Sequence, residues 1–246
     1  MEQKEAKEKA VVVFLVIGLI LAVFNQIQLF SMKMDKDITE TPTGLSIVKA
    51  EVVPEGTPRV YGKELSVSYD DVSATNQRLA DATINKLGDL DNKIKLTEEE
   101  LERYVSIVSQ ISCEYCCGAQ SIIVRQEDVD NMNAKIDAAI KEGQITEEEA
   151  SQYRTKAGEP ACGCAHSFAM RGLAKYLITE HGNEFTDDEI LEELGKWKTL
   201  FFPGQMQQKA EALKENGIEF NYINLASNKY RGIEQGNSGG GMVGGC

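Results

Sequence analysis

TEEELERYVSIVSQISCEYCCG, residues 97–118, runs from a helix start into a group of three cysteines. Thr97 and Glu100 stand at capping-box spacing, in which each side chain bonds the other's backbone amide at the first turn. Leu101, Tyr104, Val105, Val108 and Ile111 then recur on one helical face. The apolar period ends where Cys113 begins. Cys113, Cys116 and Cys117 follow within five positions, and Gly118 closes the group. An amphipathic helix therefore ends in a thiol-bearing turn, and the rest of the chain is read from this point.

Downstream, Val129, Met132, Ile136 and Ile140 keep helical spacing, Gly143 stops them, and Thr146 and Glu149 form a second capping box. Residues 126–159 are thus expected as a helical hairpin that leaves the thiol turn and returns at Pro160. ACGCAHS, residues 161–167, then supplies Cys162, Cys164 and His166. Phe168, Met170, Leu173, Ala174, Leu177 and Ile178 predict another amphipathic helix, with His181 as a C-terminal cap before Gly182. A third box at Thr186 and Glu189 opens a helix with Ile190, Leu194, Trp197 and Phe201 inward, ended by FPG. QMQQKAEALKENG adds one more, and IEFNYINL, residues 218–225, alternates like a strand.

Upstream of the helices, LSIVKAEVV and RVYGKELSVSY flank the turn signal PEGTP, so residues 31–75 are expected to form a tether and a small β element. The glycine-rich residues 234–246 cannot fill a core and predict a flexible tail, whose final Cys246 is expected as an exposed thiol without a ligand role. The expected fold class is mainly α with minor β. It comprises an N-terminal transmembrane helix followed by a helical cysteine-rich metal-binding domain over residues 76–233.

The transmembrane expectation rests on AVVVFLVIGLILAVF, residues 10–24, which contains no polar side chain and continues through NQIQLF. A span of about 20 apolar residues suits a bilayer, and residues 1–30 predict an uncleaved single-pass anchor. A cleaved signal peptide and a buried core helix are the alternatives. Lys4, Lys7 and Lys9 before the segment favour an inside amino terminus, against Lys33 and Lys36 after it. The expected location is the membrane, with the C-terminal domain extracytoplasmic. The net charge of -13 excludes nucleic acid as a partner, because no cationic patch offsets it. The sequence specifies no protein partner.

CxxC followed at a distance by a second close cysteine pair is a spacing that delivers four sulfurs to one tetrahedral ion. Cys113, Cys116, Cys162 and Cys164 are the expected metal ligands, with zinc the expected ion. Cys117 and His166 exceed the four required. They are alternative ligands, members of a binuclear or cluster site, or hydrogen-bond partners of the thiolates. Cross-cluster disulfides, an iron–sulfur cluster for electron transfer, and thiol–disulfide redox chemistry at the glutaredoxin-like CEYC are the competing readings. Copper handling is a further one, suggested by Met32 and Met34. No nucleophile paired with a base, and no phosphate-binding loop, marks a reaction.

PACGC, residues 160–164, resembles the PCYCGC motif of small membrane-associated proteins. Pro160, Cys162, Gly163 and Cys164 align, while the first cysteine of the motif is absent. The whole layout resembles uncharacterised archaeal membrane-anchored cysteine-rich proteins. That resemblance implies metal binding and supplies no reaction.

Overall fold

The computed structural model describes residues 52–235, and these are mainly helical. Each of the three Thr-x-x-Glu boxes opens a helix. Thr97 caps α3 (Glu98–Val108), Thr146 caps the short α5 (Glu147–Ala150) and Thr186 caps α7 (Asp187–Phe201), with reciprocal side-chain-to-amide bonds in all three. The other helices are α1 (Gly62–Leu65), α2 (Gln77–Lys93), α4 (Gln126–Lys141), α6 (Ala165–His181), α8 (Pro203–Glu215) and α9 (Tyr222–Ala226). Pro203 at the first turn of α8 costs no hydrogen bond there, since that amide has no intrahelical partner.

The core is built around α6. Its Ala169, Met170, Leu173, Ala174, Leu177 and Ile178 are buried, and α2, α3 and α7 pack on it. The closest approach is between α2 and α6. A Cβ added at Gly172 would lie 2.0 Å from the Leu87 carbonyl oxygen, so the two backbones meet where no side chain fits. Helix α7 buries the predicted Ile190, Leu194, Trp197 and Phe201, and adds Lys198.

The expected minor β content is corrected. Among the described residues the extended pairing consists of isolated bridges, Ile111 with Ser227, Cys113 with Ala119, and Ile123 with Pro160. Residues 59–69, expected as a strand, form α1 and enter a 3-10 turn at Tyr69–Asp71. Their alternation has another cause. Tyr61, Val67 and Tyr69 turn inward, and both phenols reach Glu193 Oε2, at 2.7 and 2.5 Å, while Trp197 Nε1 donates to Tyr61 Oη at 2.7 Å. Residues 218–225 likewise give α9 over Tyr222–Ala226, where the Asn221 side chain caps the Asn224 amide. Residues 45–51 lie outside the described part.

The expected single-pass anchor and membrane location are corrected as well, since no described helix is long and apolar enough to cross a membrane. The two longest, α2 and α6, have 17 residues each. At 1.5 Å per residue that is about 26 Å, against about 30 Å of hydrocarbon. Both also carry charged side chains. Residues 1–30 themselves, residues 31–51 of the 31–75 tether and β element, and residues 236–246 of the tail lie outside the described residues.

Candidate metal centre

Two turns supply the sulfurs, and backbone bridges bring them together. After α3 the chain folds tightly at residues 113–119. Cys113 N donates to Ala119 O at 3.0 Å and Gly118 N to Cys113 O at 2.9 Å. Gly118 takes φ +73° there, a left-handed conformation that costs glycine little. Arg231 holds the turn from outside by donating to the carbonyls of Gly118 and Ala119. The returning strand of chain then links both halves of the site. Ile122 N bonds Ile111 O at 3.0 Å, and Ala161 N bonds Ile122 O at 3.2 Å. Cys162 is thereby set beside Cys113 across 49 residues of sequence.

Arg171, fully buried on α6, fixes the second half. Its guanidinium donates to Asp91 Oδ2 at 2.8 Å on α2 and to the carbonyl oxygens of Cys162 at 2.9 Å and Ile122 at 3.3 Å. Cys164 is the N-cap of α6, and its sulfur accepts the Ser167 amide at 3.4 Å and lies 3.2 Å from Ser167 Oγ.

The five described cysteines are all unbridged. Their sulfurs form two three-thiol groups, Cys113 with Cys116 and Cys164, and Cys113 with Cys117 and Cys162. Within each group all ligand atoms lie within 4.8 Å of one another. The shortest separations are 2.8 Å for Cys117 to Cys162, 3.3 Å for Cys162 to Cys113 and 3.5 Å for Cys113 to Cys164. Two sulfurs bound to one tetrahedral ion at about 2.3 Å stand about 3.8 Å apart, so the array is compatible with binding a metal ion. Cys113 and Cys162 are buried, Cys164 is partly covered, and Cys116 and Cys117 are exposed.

His166 is absent from both groups. It is fully buried in α6, with its ring centroid 4.8 Å from that of Phe201 and 4.9 Å from that of Phe202. Of the residues expected as ligands, the structure therefore gathers the cysteines and places the histidine among aromatic rings. Cys246 lies outside the described residues.

The protonation of the thiols is uneven. The hydrogen bond from Cys113 pulls Cys164 down to about 7 against the effect of burial, with the Ser167 contacts adding to it. The same hydrogen bond, then burial, pushes Cys113 up to about 12. Burial first, and then Cys117, raises Cys162.

A charged group absent from the sequence expectations lies directly beneath the thiol turn. Lys198 and Lys209, both fully buried, place Nζ at 3.0 and 3.1 Å from Glu114 Oε1. Lys198 also donates to Ser112 Oγ at 3.1 Å and Ala226 O at 2.8 Å. Burial brings the Lys198 ammonium down to about 8, opposed by Glu114. Burial would raise Glu114, but the two lysines outweigh it and hold its carboxyl below the usual range. The signal was present in the pattern. Lys198 stands four residues after Leu194 and three before Phe201, and Lys209 three after Met206, so both occupy apolar-face positions of their helices.

No family model, curated protein or solved structure matches this chain.

Proposed function

We propose that the chain is a metal-binding protein whose clustered thiolates hold zinc. The observation that carries this reading is the convergence of five unbridged thiols, from two turns far apart in sequence, into two groups of three that share Cys113, the sulfurs of each group lying within 4.8 Å of one another. Zinc suits the donor set because it takes thiolate ligands in tetrahedral geometry without redox change. Sulfurs this close favour ions bound directly by thiolate over an iron–sulfur cluster, in which inorganic sulfide and several irons stand between the cysteines. The partial PCYCGC-like motif at Pro160, Cys162, Gly163 and Cys164 points the same way.

Metal content of the full chain purified under reducing conditions tests this, together with cobalt substitution. Stoichiometric zinc, and cobalt that gives thiolate charge-transfer and tetrahedral visible bands, are the expected results. Metal-free protein overturns the reading, as does protein isolated without reductant in which Cys113, Cys116 or Cys117 is joined to Cys162 or Cys164 by a disulfide.

Thiol–disulfide exchange is the second reading, and one observation favours it. Cys164 caps a 17-residue helix and is held at about 7, where the nucleophilic thiolate is abundant at neutral pH. The two readings separate by order of reaction. A resident metal protects Cys164 from alkylation until a chelator is added, whereas an exchange thiol reacts at once.

A further inference from the structure

Cys113 occurs in both three-thiol groups, and the division of the other four sulfurs differs from the one the motif spacing suggests. CxxC and CxC predict a single ion held by Cys113, Cys116, Cys162 and Cys164. The geometry instead groups Cys116 and Cys164 with Cys113, and Cys117 and Cys162 with the same Cys113. One sulfur from each turn joins Cys113 in each group. The second cysteine of the adjacent pair, superfluous in a single-ion site, has a defined place here.

We infer that the thiol array is a two-ion centre in which the Cys113 thiolate bridges two divalent metal ions, one also held by Cys116 and Cys164, the other by Cys117 and Cys162. This rests on the metal-binding reading and deepens it.

Three further features support it. The bridging position falls on the most deeply set sulfur of its turn, since Cys113 is buried while Cys116 and Cys117 are exposed. Cys113 is the sulfur shared by both groups, and its Sγ lies 3.3 Å from Cys162 Sγ of one and 3.5 Å from Cys164 Sγ of the other. The charges also balance. Five thiolates and Glu114 carry six negative charges, and two divalent ions with the buried Lys198 and Lys209 carry six positive ones. A single divalent ion on four thiolates above the same lysines and glutamate would leave one negative charge in excess, and two monovalent ions on five thiolates would leave two. Cys113, Cys162 and the two lysines are buried, where an unbalanced charge is costly, and this favours two divalent ions over one and over copper(I). Three protein sulfurs per ion leave a fourth position on each for water or an incoming ligand.

The test is the stoichiometry of zinc bound to the full chain under reducing conditions, measured by native mass spectrometry and elemental analysis. Two zinc ions per chain are expected. Cys113→Ser should remove both. Cys116→Ser should leave one, and Cys117→Ser should leave one. Both of these positions are exposed, so the pair stays informative even if Cys113→Ser fails to fold. In the cadmium form, NMR coupling between two cadmium signals through a shared thiolate is expected, and is lost in either single variant. One zinc per chain, with Cys117→Ser leaving it in place, overturns the bridged centre and leaves the metal-binding reading standing. No bound zinc overturns both.

Discussion

Glu114 offers one oxygen to two buried ammonium groups, so removing its charge should leave both without a counter-charge in the core. Glu114→Gln is expected to lower the unfolding free energy by about 3–5 kcal/mol, the cost of breaking a buried pair from one side. Lys93→Gln, which opens the exposed Lys93–Asp89 pair, should change it by about 0.5 kcal/mol or less. Urea denaturation of both variants makes the comparison, and equal effects would refute the claim that the lysine pair depends on Glu114. His181 gives a second residue-scale prediction. Burial disfavours its imidazolium, but hydrogen bonds to Glu184 at 2.8 Å and Glu64 at 3.1 Å, with their charges, outweigh this and raise it above 6.5. Tyr176 donates to the same Glu64 oxygen, and Arg103 bonds the neighbouring Gly182 carbonyl. A raised folded-state value means that the stabilisation is fully present below the unfolded-state value of about 6.5 and is lost as pH rises through the folded one. The stability advantage of the wild type over His181→Gln should therefore shrink between about pH 6 and pH 8. A constant difference across that range would exclude the imidazolium pair.

Helix α6 carries Cys164 at its N-terminus and, through Arg171, the carbonyl of Cys162, so its seat on α2 positions half of the thiol array. That seat depends on Gly172. An added methyl there meets the Leu87 carbonyl oxygen at 2.0 Å, backbone that a side-chain rotation cannot clear. Gly172→Ala should destabilise the fold by at least about 1–3 kcal/mol, the range for overpacking, and should lower metal affinity by shifting Cys164. Gly163, between the two cysteines, has open space at its Cβ position. Gly163→Ala should change stability by about 0.5 kcal/mol or less. Thermal melts of the two variants decide the matter, and a Gly172→Ala protein as stable as Gly163→Ala would show that the two helices can part without cost. The helix starts were legible beforehand because a capping box is a local device. Thr97 with Glu100, Thr146 with Glu149, and Thr186 with Glu189 each satisfy amides within one turn and need no tertiary partner.

At the scale of the described fold the thiol array is joined to the core, because Cys113 and Cys162 belong to the same buried cluster as Leu173 and Phe201. Metal that binds only the folded chain stabilises it by mass action, about 4 kcal/mol at a thousandfold excess over Kd. Adding a strong zinc chelator under reducing conditions should lower Tm, and restoring zinc should recover it. An unchanged Tm would place the site outside the folding unit. The two-turn delivery of cysteines and the helical character of the chain were determined by sequence alone. Periodicity, caps and close cysteine spacing act over a few residues and leave direct marks there. Only the tertiary structure decided that Tyr61, Val67 and Tyr69 pack inward from a helical turn rather than a strand, since alternation over so short a run fits either until Glu193 and Trp197 supply partners. The same holds for the buried lysines, whose positions the helical period marks but whose counter-charge comes from Glu114, 84 and 95 residues away. It holds most of all for the pairing of sulfurs. Spacing within a turn says which cysteines are near in the chain, whereas the separations across Cys113 are set by long-range backbone bridges and by Arg171, which local sequence does not encode.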